Sequence, residues 1–143
     1  MSVITLDVNP PVMPTSVPDL REAVGWSRMD SDYPAAFRGY WATVVGHDEQ
    51  GRLVAWCAIL SDGVRHAVLL DVIVHPEWQG QGIGGQLVRT ALAHVRAHGI
   101  TIVHVDFLPE RRGFYRPGAR RPLPLGMGMN GLSLCRFCVV MRE

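Results

Sequence analysis

Residues 69–85 read L-L-D-V-I-V-H-P-E-W-Q-G-Q-G-I-G-G, and this stretch decides the reading of the whole chain. It opens on an apolar, β-branched run, which predicts a strand. His75, Pro76, Glu77, Trp78 and Gln79 follow, then Gly80, Gly82, Gly84 and Gly85, then a segment with helical periodicity. Glycine has no Cβ, so backbone here can take positive φ and let a ligand approach closely. The first N–H groups of the following helix have no intrahelical partners and lie at the positive end of its dipole. A strand, a glycine loop and a helix N-terminus in that order make a phosphate cradle.

Two kinds of phosphate ligand compete for it. Gly80, Gly82 and Gly85 satisfy G-x-G-x-x-G, and Asp106 lies about 20 residues further on, where a dinucleotide fold keeps its ribose-binding acid. In that fold the first glycine follows its strand almost directly, whereas here residues 75–79 intervene, which weighs against a dinucleotide. The segment instead resembles the acyl-CoA loop of the GNAT N-acetyltransferase superfamily, Gln/Arg-x-x-Gly-x-Gly/Ala, with Gln79, Gly82 and Gly84 at its three fixed positions. The preceding V-I-V-H-P-E-W also resembles the strand end and linker of that family.

Composition narrows the alternatives. A chain of 143 residues has the length of one domain and one core, spanning residues 1–143. An apolar fraction of 48% with 19% charged residues is that of an ordinary globular protein, and a net charge of +1 gives no reason to expect nucleic acid or an anionic membrane. All 14 basic residues are arginine, which excludes a lysine Schiff base and a P-loop lysine and suggests a GC-rich bacterial gene. No apolar run reaches the ~18 residues of a membrane span. The N-terminus lacks the pattern of a secretory signal, so a cytoplasmic protein is expected. Cys57, Cys135 and Cys138 are too few for a disulfide framework, and no second C-x-x-C completes a zinc site. No metal is expected.

Along the chain, a strand is predicted over 4–8, then a proline-rich connection. Helices follow over 15–24, capped by Thr15 or Ser16, and over 33–38, capped by Ser31 or Asp32. Strands over 40–46, 53–60 and 64–74 are joined by D-E-Q-G and by Asp62-Gly63, a strong hairpin signal. The helix after the glycine loop places Leu87, Val88, Ala91, Leu92 and Val95 on one face and leaves Arg89 and Arg96 outside. It should end at His98-Gly99. A strand over 101–107, parallel to its predecessor, a short helix over 110–116 and a last strand over 132–141 complete the list. The order β-α-α-β-β-β-(loop)-α-β-α-β resembles the GNAT layout, and the resemblance implies an α/β fold with a mixed, mostly antiparallel sheet, flanking helices and a splayed parallel strand pair that holds acetyl-CoA.

The resemblance implies a site. Val72 and Val74 should offer main-chain groups to the pantetheine arm and acetyl group of acetyl-CoA. Gln79, Gly80, Gln81, Gly82, Ile83, Gly84 and Gly85 should wrap its pyrophosphate. Phe114-Tyr115 resembles the family's Phe-Tyr pair, which makes Tyr115 the expected general acid toward the CoA sulfur. Here that pair leads into R-P-G-A, and Leu108 stands where the family often has asparagine, seven residues before the tyrosine.

The general base is open. Asp71 is the best-placed carboxylate, with Glu77, His66, His104, Asp106 and a water chain as rivals, and pairing with a nearby arginine is the structural alternative. The acceptor side should come from the N-terminal helices and residues 25–33, where Trp26, Asp30, Asp32 and Tyr33 suit a cationic amine through cation–π and ionic contacts. The arginines at 111, 112, 116, 120 and 121 are read either as contacts to the CoA 3′-phosphate or an acidic acceptor, or as a solvated loop. The expected activity is acetyl transfer from acetyl-CoA to a small primary amine by direct attack in a ternary complex. A non-catalytic acyl-CoA-binding module and a dinucleotide-binding protein are the alternatives. A homodimer through a sheet edge or the last strand is compatible with the pattern.

Overall fold

A computed structural model describes residues 3–107, 126–127 and 133–140, with side chains up to residue 105. Strands β1 (Thr5–Val8), β2 (Ala42–His47), β3 (Leu53–Ser61), β4 (His66–Val74), β5 (Ile102–Phe107), β6 (Gly126–Met127) and β7 (Ser133–Val140) lie in the order β1-β2-β3-β4-β5-β7-β6. Every pairing is antiparallel except β4–β5, which is parallel. The sequence-predicted mixed α/β sheet is therefore present. Helices α1 (Ser16–Ala23), α2 (Tyr33–Gly39) and α3 (Ile83–Ala97) flank it.

Two cores occupy opposite faces of the sheet. On one, Ile83, Leu87, Ala91 and Val95 of α3 are buried against Val44, Ala55, Cys57, Leu69, Val103 and Val105. Their i, i+4, i+8 spacing makes a single stripe on a 3.6-residue helix. Leu87 has no exposed surface, so Leu87→Ala should cost ~2–5 kcal/mol. On the other face, Val17 and Leu20 of α1 and Tyr33 of α2 cover Val45, Trp56, Ala58 and Ile73. The Phe37 ring lies 5.4 Å from that of Trp56 at a tilt of 31°, which ties the short α2 to the sheet.

The hairpin signal at Asp62-Gly63 is confirmed in detail. The Asp62 carboxylate accepts from the backbone N–H groups of Val64, Arg65 and His66 at 2.9, 2.8 and 3.0 Å. Element bounds match the sequence expectations to within about two residues, except that the 132–141 strand has a short companion, β6, too brief to leave a periodic signature. The helix expected over 110–116 lies outside the described residues.

Candidate active site

The site begins with an irregularity in β4. Between the pairs Ala58–Leu70 and Trp56–Ile73, the two residues Asp71 and Val72 oppose the single residue Cys57, a β-bulge. Asp71 takes φ +51°, a left-handed conformation that costs a non-glycine residue about 1–2 kcal/mol. The extra residue inverts the two-residue alternation of the strand. Leu69, Val72 and Val74 pack toward α3, while Leu70 and Ile73 pack toward α1 and α2. Asp71 joins the latter side, where its carboxylate meets Arg21 and the Tyr33 hydroxyl.

The same strand leaves its parallel neighbour. β4 and β5 pair from His66–Ile102 to Leu69–Val105, and the ladder ends there. Beyond it β4 follows β3 up to Val74–Ala55, and β5 follows β7 up to Phe107–Cys135. A gap therefore opens between two strands that are each still paired on their outer side.

At the wide end of the gap the chain turns into the glycine loop. Pro76–Trp78 forms one 3-10 turn, capped by His75, whose Nδ1 accepts from the Glu77 N–H at 3.2 Å. Glu77 is in turn held by Arg52 at 2.7 Å, and that guanidinium keeps its carboxyl below the usual range. Gln79 reaches back to the Val74 carbonyl. Gly80 and Gly82 have φ +76° and +80°, conformations that glycine adopts without penalty. The α3 ladder starts with Gln86 N–H to the Gly82 carbonyl at 3.1 Å. Before that bond, the first N–H groups of the helix are unclaimed by its own carbonyls. No acidic side chain lies in the first turn and none caps it, so the positive helix end is left for an external anion.

On the α1/α2 face a cleft of about 290 Å³ is lined by Arg21, Met29, Tyr33, Ala36, Tyr40 and Asp71, with Asp32 completing it. Burial, followed by the Asp71 charge, raises the Tyr33 phenol above its ordinary value. Burial pushes Tyr40 up to about 12, with the neighbouring Tyr33 and Asp71 adding to it. Both hydroxyls are therefore neutral at physiological pH.

Of the acceptor residues expected from sequence, Tyr33 and Asp32 line this cleft. Trp26 does not; it is 43% exposed, with the Arg21 guanidinium 5.2 Å from its ring centroid. Asp30 is committed to Arg28. Asp71 and Tyr33 meet at 3.3 Å although 38 residues separate them. Among the rival bases, Glu77 is held in its ion pair with Arg52, and His66 contacts His104 at 3.1 Å at the closed end of the β4–β5 ladder. Tyr115 and the arginines at 111–121 lie outside the described residues. Arg21, Met29, Ala36 and Tyr40 are the cleft residues that sequence reasoning missed. For Arg21 a signal existed: it stands four residues after Val17, on the inward side of α1. Among the described residues no group of three or more His, Cys, Asp or Glu could hold a metal, and no helix is long and apolar enough to cross a membrane.

The chain matches the acetyltransferase (GNAT) family over residues 11–118. It is 34% identical over 76 residues to serotonin N-acetyltransferase 2, chloroplastic, of Oryza sativa subsp. japonica, covering 53% of this chain and 38% of that one. The chain thus spans well under half the length of that relative. Among solved structures, a GNAT family acetyltransferase from Streptococcus pneumoniae TIGR4 superposes with a TM-score of 0.67 at 27% identity, covering 80% of this chain and 84% of that one. A GNAT family N-acetyltransferase from Escherichia coli in complex with CoA superposes with a TM-score of 0.67 at 17% identity, covering 94% and 81%.

Proposed function

This chain belongs to the acetyltransferase (GNAT) family, and from that premise we propose that it transfers an acetyl group from acetyl-CoA to a primary amine by direct attack in a ternary complex. One observation carries the reading: the β4–β5 ladder ends where β4 bulges, and the uncapped N-terminus of α3 follows a glycine loop directly beyond. A gap between strands that, among the described residues, pair only on their outer sides, with an anion cradle at its mouth, matches a ligand that is part amide-bearing arm and part pyrophosphate.

Acetyl-CoA, when bound, supplies an acyl group activated as a thioester. The backbone N–H groups of Gly80, Gln81, Gly82, Ile83, Gly84 and Gly85, with Gln79 at the entrance, bind the pyrophosphate. The main chain of Val72 and Val74 pairs with the pantetheine amides. A backbone N–H near the acetyl carbonyl would stabilise the negative charge that develops on its oxygen. Asp71 faces the opposite side of β4, toward the acceptor cleft, and takes a proton from the acceptor's ammonium, so that the free amine attacks the thioester carbonyl. Tyr115 gives a proton to the departing sulfur. Cys57, opposite the bulge, is fully buried, and burial together with the Asp71 charge pushes its thiol up to about 12. It holds no thiolate at neutral pH, which favours direct attack over an acyl-cysteine route.

Calorimetric titration with acetyl-CoA, with NAD as the paired control, tests the first half of the reading. Micromolar acetyl-CoA binding, followed by amine-dependent thiol release, supports it. Binding without transfer to any amine would leave an acyl-CoA-binding module, and no binding would remove the cradle assignment.

A further inference from the structure

The arginine in the acceptor cleft is poorly satisfied for one so deeply placed. The Arg21 side chain is 12% exposed and lines the cleft, so N–H groups that its neighbours leave loosely held face the space a ligand would enter. Its Nε donates to the Ser27 carbonyl at 2.6 Å, which fixes the plane of the group. Nη1 is divided between the Tyr33 hydroxyl at 3.3 Å and the Asp71 carboxylate at 3.4 Å. Both are long against the ~2.7–2.9 Å of a charge-assisted bond. Nη2 faces the Met29 sulfur at 3.4 Å, and a thioether is a weak acceptor. The exposed arginines of the same molecule do better: Arg28 sits 2.8–3.0 Å from Asp19, Glu22 and Asp30, and Arg52 sits 2.7 and 3.1 Å from Glu77 and Asp48.

Met29 and Asp71 also hold their places at a conformational cost, with φ +58° and +51°. The backbone is thus bent twice to set a sulfur and a carboxylate around one guanidinium without closing on it. Nη1 and Nη2 form the fork that recognises a carboxylate through two parallel bonds. Resting on the acetyl-transfer reading above, we infer that the acceptor is an α-amino acid whose carboxylate is bound by the Arg21 fork, displacing the Met29 thioether, and whose amine lies at Asp71. The spacing supports this class. Arg21 Nη1 and Asp71 Oδ2 are 3.4 Å apart, so the two charges they bind must be adjacent in the acceptor. An amine nitrogen and a carboxyl carbon on one carbon are about 2.5 Å apart. Tyr33, Ala36, Tyr40 and Asp32 line the remaining space, which fits an uncharged or basic side chain better than an acidic one.

The test is thiol release from acetyl-CoA with matched acceptors: phenylalanine, phenylalaninamide and phenethylamine, and the corresponding alanine series. The expected result is kcat/KM at least tenfold higher for the free amino acid than for its amide or decarboxylated amine in one or both series. Arg21→Gln should abolish that preference by weakening the amino acid alone, with circular dichroism confirming the fold. Met29→Leu, which keeps the shape but removes the sulfur, should preserve the preference. The wild-type comparison decides even if a variant does not fold. Amides or plain amines used as well as amino acids would overturn the inference and leave acetyl transfer standing. No acceptor consumed while acetyl-CoA binds would overturn both.

Discussion

Gln79 donates its side-chain Nε2 to the Val74 carbonyl at 2.9 Å, so the first residue of the glycine loop is fastened to the last residue of the bulged strand. The bond fixes how the loop hangs over the gap between β4 and β5. A neutral hydrogen bond of this kind is worth about 1 kcal/mol. Gln79→Ala should therefore raise the acetyl-CoA Kd by roughly fivefold, measured by calorimetry, while the melting temperature moves little because Gln79 is exposed.

Gly82 has φ +80°, and nothing lies within 4 Å of where its Cβ would stand. Substitution there meets conformational strain before it meets a neighbour. Gly82→Val should lose ~1–2 kcal/mol of stability and bind acetyl-CoA at least tenfold more weakly. Gly82→Asn, whose side chain tolerates this region, should lose less of both. Equal losses for the two variants would show that side-chain bulk matters there and backbone conformation does not.

Asp71→Asn keeps a residue that accepts positive φ but removes the carboxylate. The expected outcome is a fall of at least tenfold in kcat/KM for the acceptor with an unchanged acetyl-CoA Kd. Its salt bridge to Arg21 is long, at 3.4 Å, so thermal stability should change modestly. A variant with wild-type turnover would remove Asp71 from proton transfer.

Tyr115→Phe should lower turnover tenfold or more without altering acetyl-CoA affinity, since general-acid assistance acts on the leaving group and not on binding. Unchanged kcat would leave the phenol without a role in the chemistry.

Asp62 supplies a pH signature. Three backbone N–H groups hold its carboxyl at about 2, below the ordinary 3.8. A depressed folded-state value means the contribution is fully present above the unfolded value and is lost as pH falls from about 4 to 2. Asp62→Ala should therefore melt at a lower temperature than the parent at pH 7, and the two curves should converge across that acidic window.

Much of this was legible in the sequence, for identifiable reasons. Alternating and helical periodicities persist over whole elements, so Leu87, Ala91 and Val95 mark the buried face of α3 unambiguously. Asp62-Gly63 and the Gln79–Gly85 glycines encode local geometry in residue type, which needs no tertiary context. The bulge was not legible. Asp71 carries no glycine to advertise its positive φ, and the inversion of alternation at Val72 depends on the pairing with β3. Asp71, read from sequence as a candidate base or as a partner for a nearby arginine, lines the cleft and pairs with Arg21. Its two partners were hidden for a different reason: Arg21 and Tyr33 are brought to it by the packing of α1 and α2, across 50 and 38 positions of chain. Trp26 shows the converse, an aromatic whose type suggested cation binding and whose ring meets the protein's own cation.

The early end of the β4–β5 ladder has a bearing on solubility. An unpaired strand edge normally invites a strand from another molecule, and proteins guard outer edges with charge, proline or bulges. Here, among the described residues, the edge beyond Leu69–Val105 lies inside the sheet, between strands whose other sides are taken by β3 and β7. A second polypeptide cannot lie flat against it without forcing those neighbours apart. On the proposed reading, a slender ligand would enter this notch where a second strand would not, and the inner edge would be no template for self-association.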